Sequence, residues 1–229
     1  MDEPQVKVHV EGSRRWMTGD HWPVTPVEYR ALYLRTRGKL AFEPEPLGAD
    51  HAHPEGFYQA PLTVVDKVEK LTWSTEPFQA ATSVHGVGAA HLYAAIDQND
   101  TNFILRLWDE APTGKRQLVT TGFLKASHRE LDERSSEGNP YHPHTRSVPV
   151  EPGVINEYVV RLYPFANEFK VGHKLVVELM CNEPLVDEHN SLLPPDAFHL
   201  PVGRPVTHTI YRDATHLSRL VLPFASSSS

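Results

Sequence analysis

An all-β sandwich with long loops is the fold this sequence predicts, and three observations predict it. Apolar residues alternate with polar ones at a period of two in more segments than they recur at 3.6. Twenty prolines are spread along the 229 residues; inside a helix each would remove a donor and clash with the preceding turn, so long helices have little room. The strand-like segments are not separated by helical patterns, so no βαβ alternation and no parallel sheet follow, and no segment repeats.

The elements come in order. Val6, Val8 and Val10 alternate with Lys7 and His9 as in a half-buried strand, closed by a Glu11-Gly12 turn. Trp16 to Trp22 reads as a polar turn flanked by two tryptophans, and Tyr29 to Leu34 as a less regular strand. Residues 43 to 61 carry prolines, glycines and a His-x-His and read as a long surface loop. Val68 to Ser74, Ala89 to Ile96, Phe103 to Trp108 and Gln117 to Ala126 have strand composition. Pro112 and Gly114 between the last two sit as a tight turn needs them, which predicts a hairpin. Ser127 to Val148 is polar and irregular, with one short helical stretch at Arg129 to Arg134. Glu157 to Leu162 and Lys174 to Met180 return to strand composition, each behind a glycine-bearing turn. A second long loop, Asn182 to Pro205, precedes a strand at Thr207 to Tyr211. The expectation is roughly nine antiparallel strands in one sandwich over residues 6–225, with residues 1–5 a leader and 226–229 a disordered serine tail.

Charge and cysteine content narrow the function classes. Twenty-two Lys and Arg against 29 Asp and Glu give a net charge of −7, which repels a phosphate backbone unless a basic patch is segregated, and the linear sequence shows none, so no nucleic-acid partner is expected. A single Cys181 excludes a disulfide framework or multi-thiolate metal site within the chain and suits a reducing, cytoplasmic location. No apolar run is long enough for a membrane span, so no membrane partner is expected either.

The search for chemistry finds little. A nucleophile elbow needs Gly-x-Ser-x-Gly at a strand-to-helix turn, and the chain has none. His85-Gly86-Val87-Gly88 has no serine and reads as a bulge or close backbone approach. No phosphate loop or dinucleotide fingerprint occurs, so no cofactor is expected. Cys181 ends a strand with no cationic neighbour in sequence and reads as a small buried apolar residue. His51 with His53 and His142 with His144 have ligand-like spacing, but two imidazoles need a third ligand such as Asp50 or Glu55 to hold zinc; loop packing is the plainer reading, and no metal is expected. Trp16 and Trp22 can stack on sugars or line an apolar pocket; they can equally close the end of a sandwich core.

The ordered motifs resemble the C-terminal non-catalytic domain of the cocaine esterase / X-Pro dipeptidyl-peptidase (CocE/NonD) hydrolase family. Carrying the resemblance are Val6 to Gly12 with Trp16 and Trp22-Pro23, Leu32-Tyr33-Leu34 with Gly38-Lys39-Leu40, and Leu71 to Phe78. Asp100, Phe103 to Asp109, Gly114 and Gly122 to Arg129 continue it, followed by Pro152-Gly153, Pro164, Phe169, Gly172 to Leu175 and Ser218 to Pro223. It spans residues 6 to 224. The resemblance implies a jelly-roll β-sandwich of the galactose-binding-like type, packed on an α/β-hydrolase domain that holds the Ser-His-Asp triad, so no catalytic residue falls on this chain. Its loops are expected to help shape the partner's acyl pocket. Many relatives carry Gly-Gly before the Leu71 strand, where this chain has Gly56-Phe57-Tyr58-Gln59-Ala60-Pro61. Trp16, Trp22, Phe57 and Tyr58 are the expected pocket or partner contacts. A sandwich face parted from its catalytic domain is also expected to be sticky, which makes homo-oligomerisation a further expectation. The reading from a different class is a free-standing carbohydrate-binding module using Trp16, Trp22 or Tyr58.

Overall fold

The computed structural model describes residues 4–46, 53–62, 64–183 and 204–226. These form β1 (Val6–Val10), β2 (Arg15–Gly19), β3 (Val27–Arg35), β4 (Lys39–Ala41), β5 (Glu55–Gln59), β6 (Leu71–Ser74), β7 (Thr82–Gly86), β8 (Ala89–Ile96), β9 (Asn102–Glu110), β10 (Arg116–Lys125), β11 (Asn156–Arg161), β12 (Phe165–Phe169), β13 (Lys174–Met180), β14 (Val206–Tyr211) and β15 (Arg219–Ala225). Two short 3-10 turns, at Thr36–Gly38 and Ala126–His128, are the only helical pieces among the described residues. The all-β expectation holds. Most of the leader and the serine tail lie outside the described residues.

β10, β9, β13 and β6 run side by side as one layer. β3, β15, β8, β14 and β5 make the other, with β11 beside β8 and β12 beside β7. β4 joins the layers, antiparallel to β3 and parallel to β6. Period two shows why the layers face each other. Leu92, Ala94 and Ile96 of β8, Phe103, Leu105 and Leu107 of β9, Tyr158 and Val160 of β11, and Leu175, Val177 and Leu179 of β13 all enter one buried cluster with Trp73. At about 25 cal/mol per Å2 of apolar surface, this shared core supplies the main drive to fold.

The predicted hairpin is present: β9 and β10 pair from Arg116↔Glu110 to Lys125↔Asn102, with one irregularity between Leu118 and Thr120. The glycine pair before β8 is also a close approach. A Cβ at Gly86 would come within 2.9 Å of Pro223 Cγ, and one at Gly88 within 2.7 Å of Leu222 Cδ2.

Other expectations need correction. The stretch 43–61 is not all loop: Glu55–Gln59 is a strand, made by antiparallel pairing with β14 rather than by its own composition. The turn around Trp16 contains β2, paired to β1 from Val6↔Gly19 to Val10↔Arg15. β7, β12 and β15 complete the sheet beyond the roughly nine strands expected from composition; β15 keeps Pro223 opposite Tyr29 of β3. No helix forms at Arg129–Arg134; one of the two 3-10 turns lies just before it, at Ala126–His128.

Candidate functional site

Hydrolytic machinery is not assembled among the described residues. Cys181 is fully buried, and burial pushes its thiol up to about 12, the opposite of an activated nucleophile. Of the two histidine pairs, the one described in full, His142 with His144, is packed rather than held open for a ligand. His142 places Nδ1 3.0 Å from the Glu130 carbonyl and Nε2 2.8 Å from the Val159 carbonyl, so both ring nitrogens are occupied by backbone. His144 packs between His142 and His128, with ring centroids 5.7 and 5.3 Å away; burial and those two rings hold its pKa below the ordinary imidazole value. His51 lies outside the described residues. No group of three metal-capable side chains occurs among those described.

The expected contact residues fall in two places. Trp16, on β2, is 62% exposed, with His9 edge-on at 5.2 Å and the Lys7 ammonium over its ring at 5.0 Å. Trp22 is half-buried, 6.3 Å from His85, and its Nε1 has no partner. Thr25 Oγ1 lies 2.7 Å from His85 Nε2, and burial lowers the His85 pKa. This tryptophan therefore closes the β7 end of the core.

Phe57 and Tyr58 sit on β5, the outermost strand of its layer. The pleat sends successive side chains to opposite faces. Phe57 turns inward, 8% exposed, and stacks on His208 of β14 at 4.4 Å and 4°. Tyr58 turns outward and is 55% exposed. It borders a groove of about 780 Å3 with Leu62, Val64, Val65, Lys67 and Glu69. The wall of this groove hangs on Gln59, which is 1% exposed: its Nε2 donates to the Ala60 and Lys67 carbonyls at 2.8 and 3.1 Å, and its Oε1 accepts from the Glu69 amide at 2.7 Å. Arg212, 5% exposed, fixes the start of the strand by donating to Glu55 and, at 2.8 Å, to the His53 carbonyl.

Sequence reasoning found Tyr58 but missed Gln59 and His208. A polar residue at an inward position of a strand is the signal for both; for Gln59 it is readable only once β5 is known to be a strand. His208 is fully buried, its Nε2 2.9 Å from Thr101 Oγ1 and its Nδ1 without a partner; burial drives its pKa down to about 3.

These features define the class as a β-sandwich domain with an aromatic-bordered groove at the margin of one layer. More particularly, the chain belongs to the X-Pro dipeptidyl-peptidase C-terminal non-catalytic domain family, whose model matches residues 1–221. A Mycobacterium bovis protein provisionally named serine esterase Mb1866c is 24% identical over 254 residues, covering 96% of this chain and 37% of its own. Cocaine esterase of a Rhodococcus species is 24% identical over 252 residues, 96% of this chain and 42% of its own. The crystal structure of a CocE/NonD family hydrolase from Staphylococcus aureus superposes with a TM-score of 0.78 at 20% identity, over 97% of this chain and 42% of that one. The chain thus spans about two fifths of the length of the relatives it matches. No helix among the described residues is long and apolar enough to cross a membrane.

Proposed function

We propose that this chain is the C-terminal accessory domain of a serine hydrolase acting on esters, amides or X-Pro peptides, and that it packs on an α/β-hydrolase catalytic domain and shapes its acyl pocket. The observation that carries this reading is one of coverage: nearly all of the chain matches, but only about two fifths of each larger esterase, and the sequence has no Gly-x-Ser-x-Gly of its own. The β5 margin is the assigned contact face. Tyr58 and Val64, 55% and 77% exposed, stand at the same groove, and exposed apolar side chains gathered in one place mark an interaction surface. Phe57 lies on the inner face of the same strand, stacked on His208; Trp16 and Trp22 are the further candidate contacts. The same reading makes the sandwich a jelly roll of the galactose-binding-like type. A sugar-binding role gains no support from Trp16, whose ring already carries Lys7.

The purified chain should not turn over a nitrophenyl ester or react with a fluorophosphonate probe. Co-expressed with the α/β-hydrolase domain encoded beside it, it should co-purify as a complex, and Val64→Asp should break that complex. Turnover by the isolated chain, or a locus encoding no such hydrolase, would sink the reading.

A further inference from the structure

Three turns meet at one end of the sandwich and enclose a cleft of about 200 Å3. They are the β1–β2, β9–β10 and β12–β13 turns, each reversed by a left-handed glycine: Gly12 at φ +77, Gly114 at +81 and Gly172 at +81. They interlock. A Cβ on Gly12 would lie 2.1 Å from the Glu168 carbonyl oxygen, and one on Gly172 would lie 3.2 Å from Pro112 Cγ.

The cleft reverses the charge of its surroundings. The chain carries −7, but Arg14, Lys115, Arg116 and Lys170 face only Glu11 and Asp109 across this space. Arg116 is committed to Glu110 and Glu178. Glu11 is committed to His9 and Gln117. Arg14, Lys115 and Lys170 enter no ion pair among the described residues. Arg14 lines the cleft and holds φ +56, a left-handed backbone that residues with a β-carbon other than Asn, Asp and His rarely adopt.

The cleft also holds a buried acceptor. Asp109 is 5% exposed. It accepts from His173 Nδ1 at 2.6 Å and from Asn167 Nδ2 at 3.2 Å, which leaves lone pairs free on both carboxylate oxygens. A ring of cations alone would take any anion. A carboxylate at the back repels an anion that brings no proton and accepts a hydrogen bond from one that does. We propose that the cleft is a binding site for a protonated oxyanion of the phosphate class, with Arg14, Lys115 and Lys170 balancing its charge and Asp109 accepting its P–OH. Sulfate has the same shape and charge but carries no proton at neutral pH, so the site discriminates against it.

Isothermal titration of the full chain with inorganic phosphate tests this at pH 7, with ionic strength held by chloride and sulfate titrated in parallel. Phosphate is expected to bind at least tenfold more tightly than sulfate. Arg14→Gly should weaken phosphate binding at least tenfold while raising the unfolding midpoint of the free chain, because glycine relaxes the φ +56 backbone; a purely structural arginine gives no such opposed pair of effects. The exposed double substitution Lys115→Ala with Lys170→Ala is a second variant that does not disturb the fold. Asp109→Asn, if it folds, should bring sulfate affinity up to that of phosphate. Phosphate and sulfate binding within twofold of each other, no binding at 10 mM phosphate, or wild-type affinity in the Arg14 and Lys115/Lys170 variants would each overturn the assignment.

Discussion

Replacing His208 should remove a defined part of the domain's acid sensitivity. This imidazole is fully buried between Phe57 and Phe103, and its pKa falls from 6.5 to about 3 because burial penalises the cation. The native state keeps the ring neutral down to about pH 3, whereas the unfolded chain takes up a proton below 6.5. Stability is therefore unaffected by this residue above pH 6.5 and declines as the pH falls from there towards 3. Each unit costs about 1.4 kcal/mol, so at pH 5 the loss relative to pH 8 is about 2 kcal/mol. His208→Gln keeps a polar group near Thr101 and cannot titrate. Urea unfolding at half-unit intervals from pH 8 to pH 5 gives the two stability curves. Their difference should be flat above pH 7 and close by about 2 kcal/mol at pH 5, whatever the baseline cost of the substitution. Parallel curves over the whole range would refute the reasoning, because other titrating groups such as His85 and His144 are common to both proteins.

Three further outcomes follow from local geometry. Gln59→Ala removes three hydrogen bonds that hold residues 60–69; it should cost about 1–3 kcal/mol and speed proteolytic cleavage within that segment ahead of global unfolding. Gly12 and Gly153 share a left-handed backbone, φ +77 and +81, but a Cβ meets the Glu168 carbonyl oxygen at 2.1 Å in the first and nothing within 4 Å in the second. Gly153→Ala should cost only the backbone penalty of about 1–2 kcal/mol, and Gly12→Ala at least twice that by urea midpoint; equal costs would show that the turn yields freely. Cys181, buried and with its thiol near 12, should stay unlabelled by a thiol reagent in the native state and react stoichiometrically in denaturant, and rapid native labelling would contradict its placement.

The elements legible in the sequence were those whose own residues carry the pattern. β8, β9, β11 and β13 supply the centre of the core, and each places apolar residues at every second position inside it, so periodicity alone finds them. β5 shows the opposite case. Its sequence, Glu-Gly-Phe-Tyr-Gln, stands between prolines and has strand geometry because β14 pairs with it from Val206↔Gln59 to Ile210↔Glu55. β4 has three residues, and β7 and β12 form chiefly by pairing with each other. Such strands owe their conformation to partners far away in the chain, which a local window cannot contain.

The same distinction explains what could be read of the sites. Tyr58 was visible as an aromatic in a loop-like stretch; that Phe57 beside it faces a buried imidazole became visible only with the pairing of β5 and β14. The cationic cleft was hidden more completely. Arg14, Lys115 and Lys170 stand about 100 and 55 positions apart in a chain of net charge −7, each with at most one basic residue beside it in sequence, and a search for a basic run must miss them. They converge because three tight turns fall at the same end of the sandwich, and turns at one end of a sandwich are where its side chains gather into sites. Charge summed along a β-sandwich sequence therefore says little about its loops, and the sign that matters for a ligand is set by which hairpins the topology brings together.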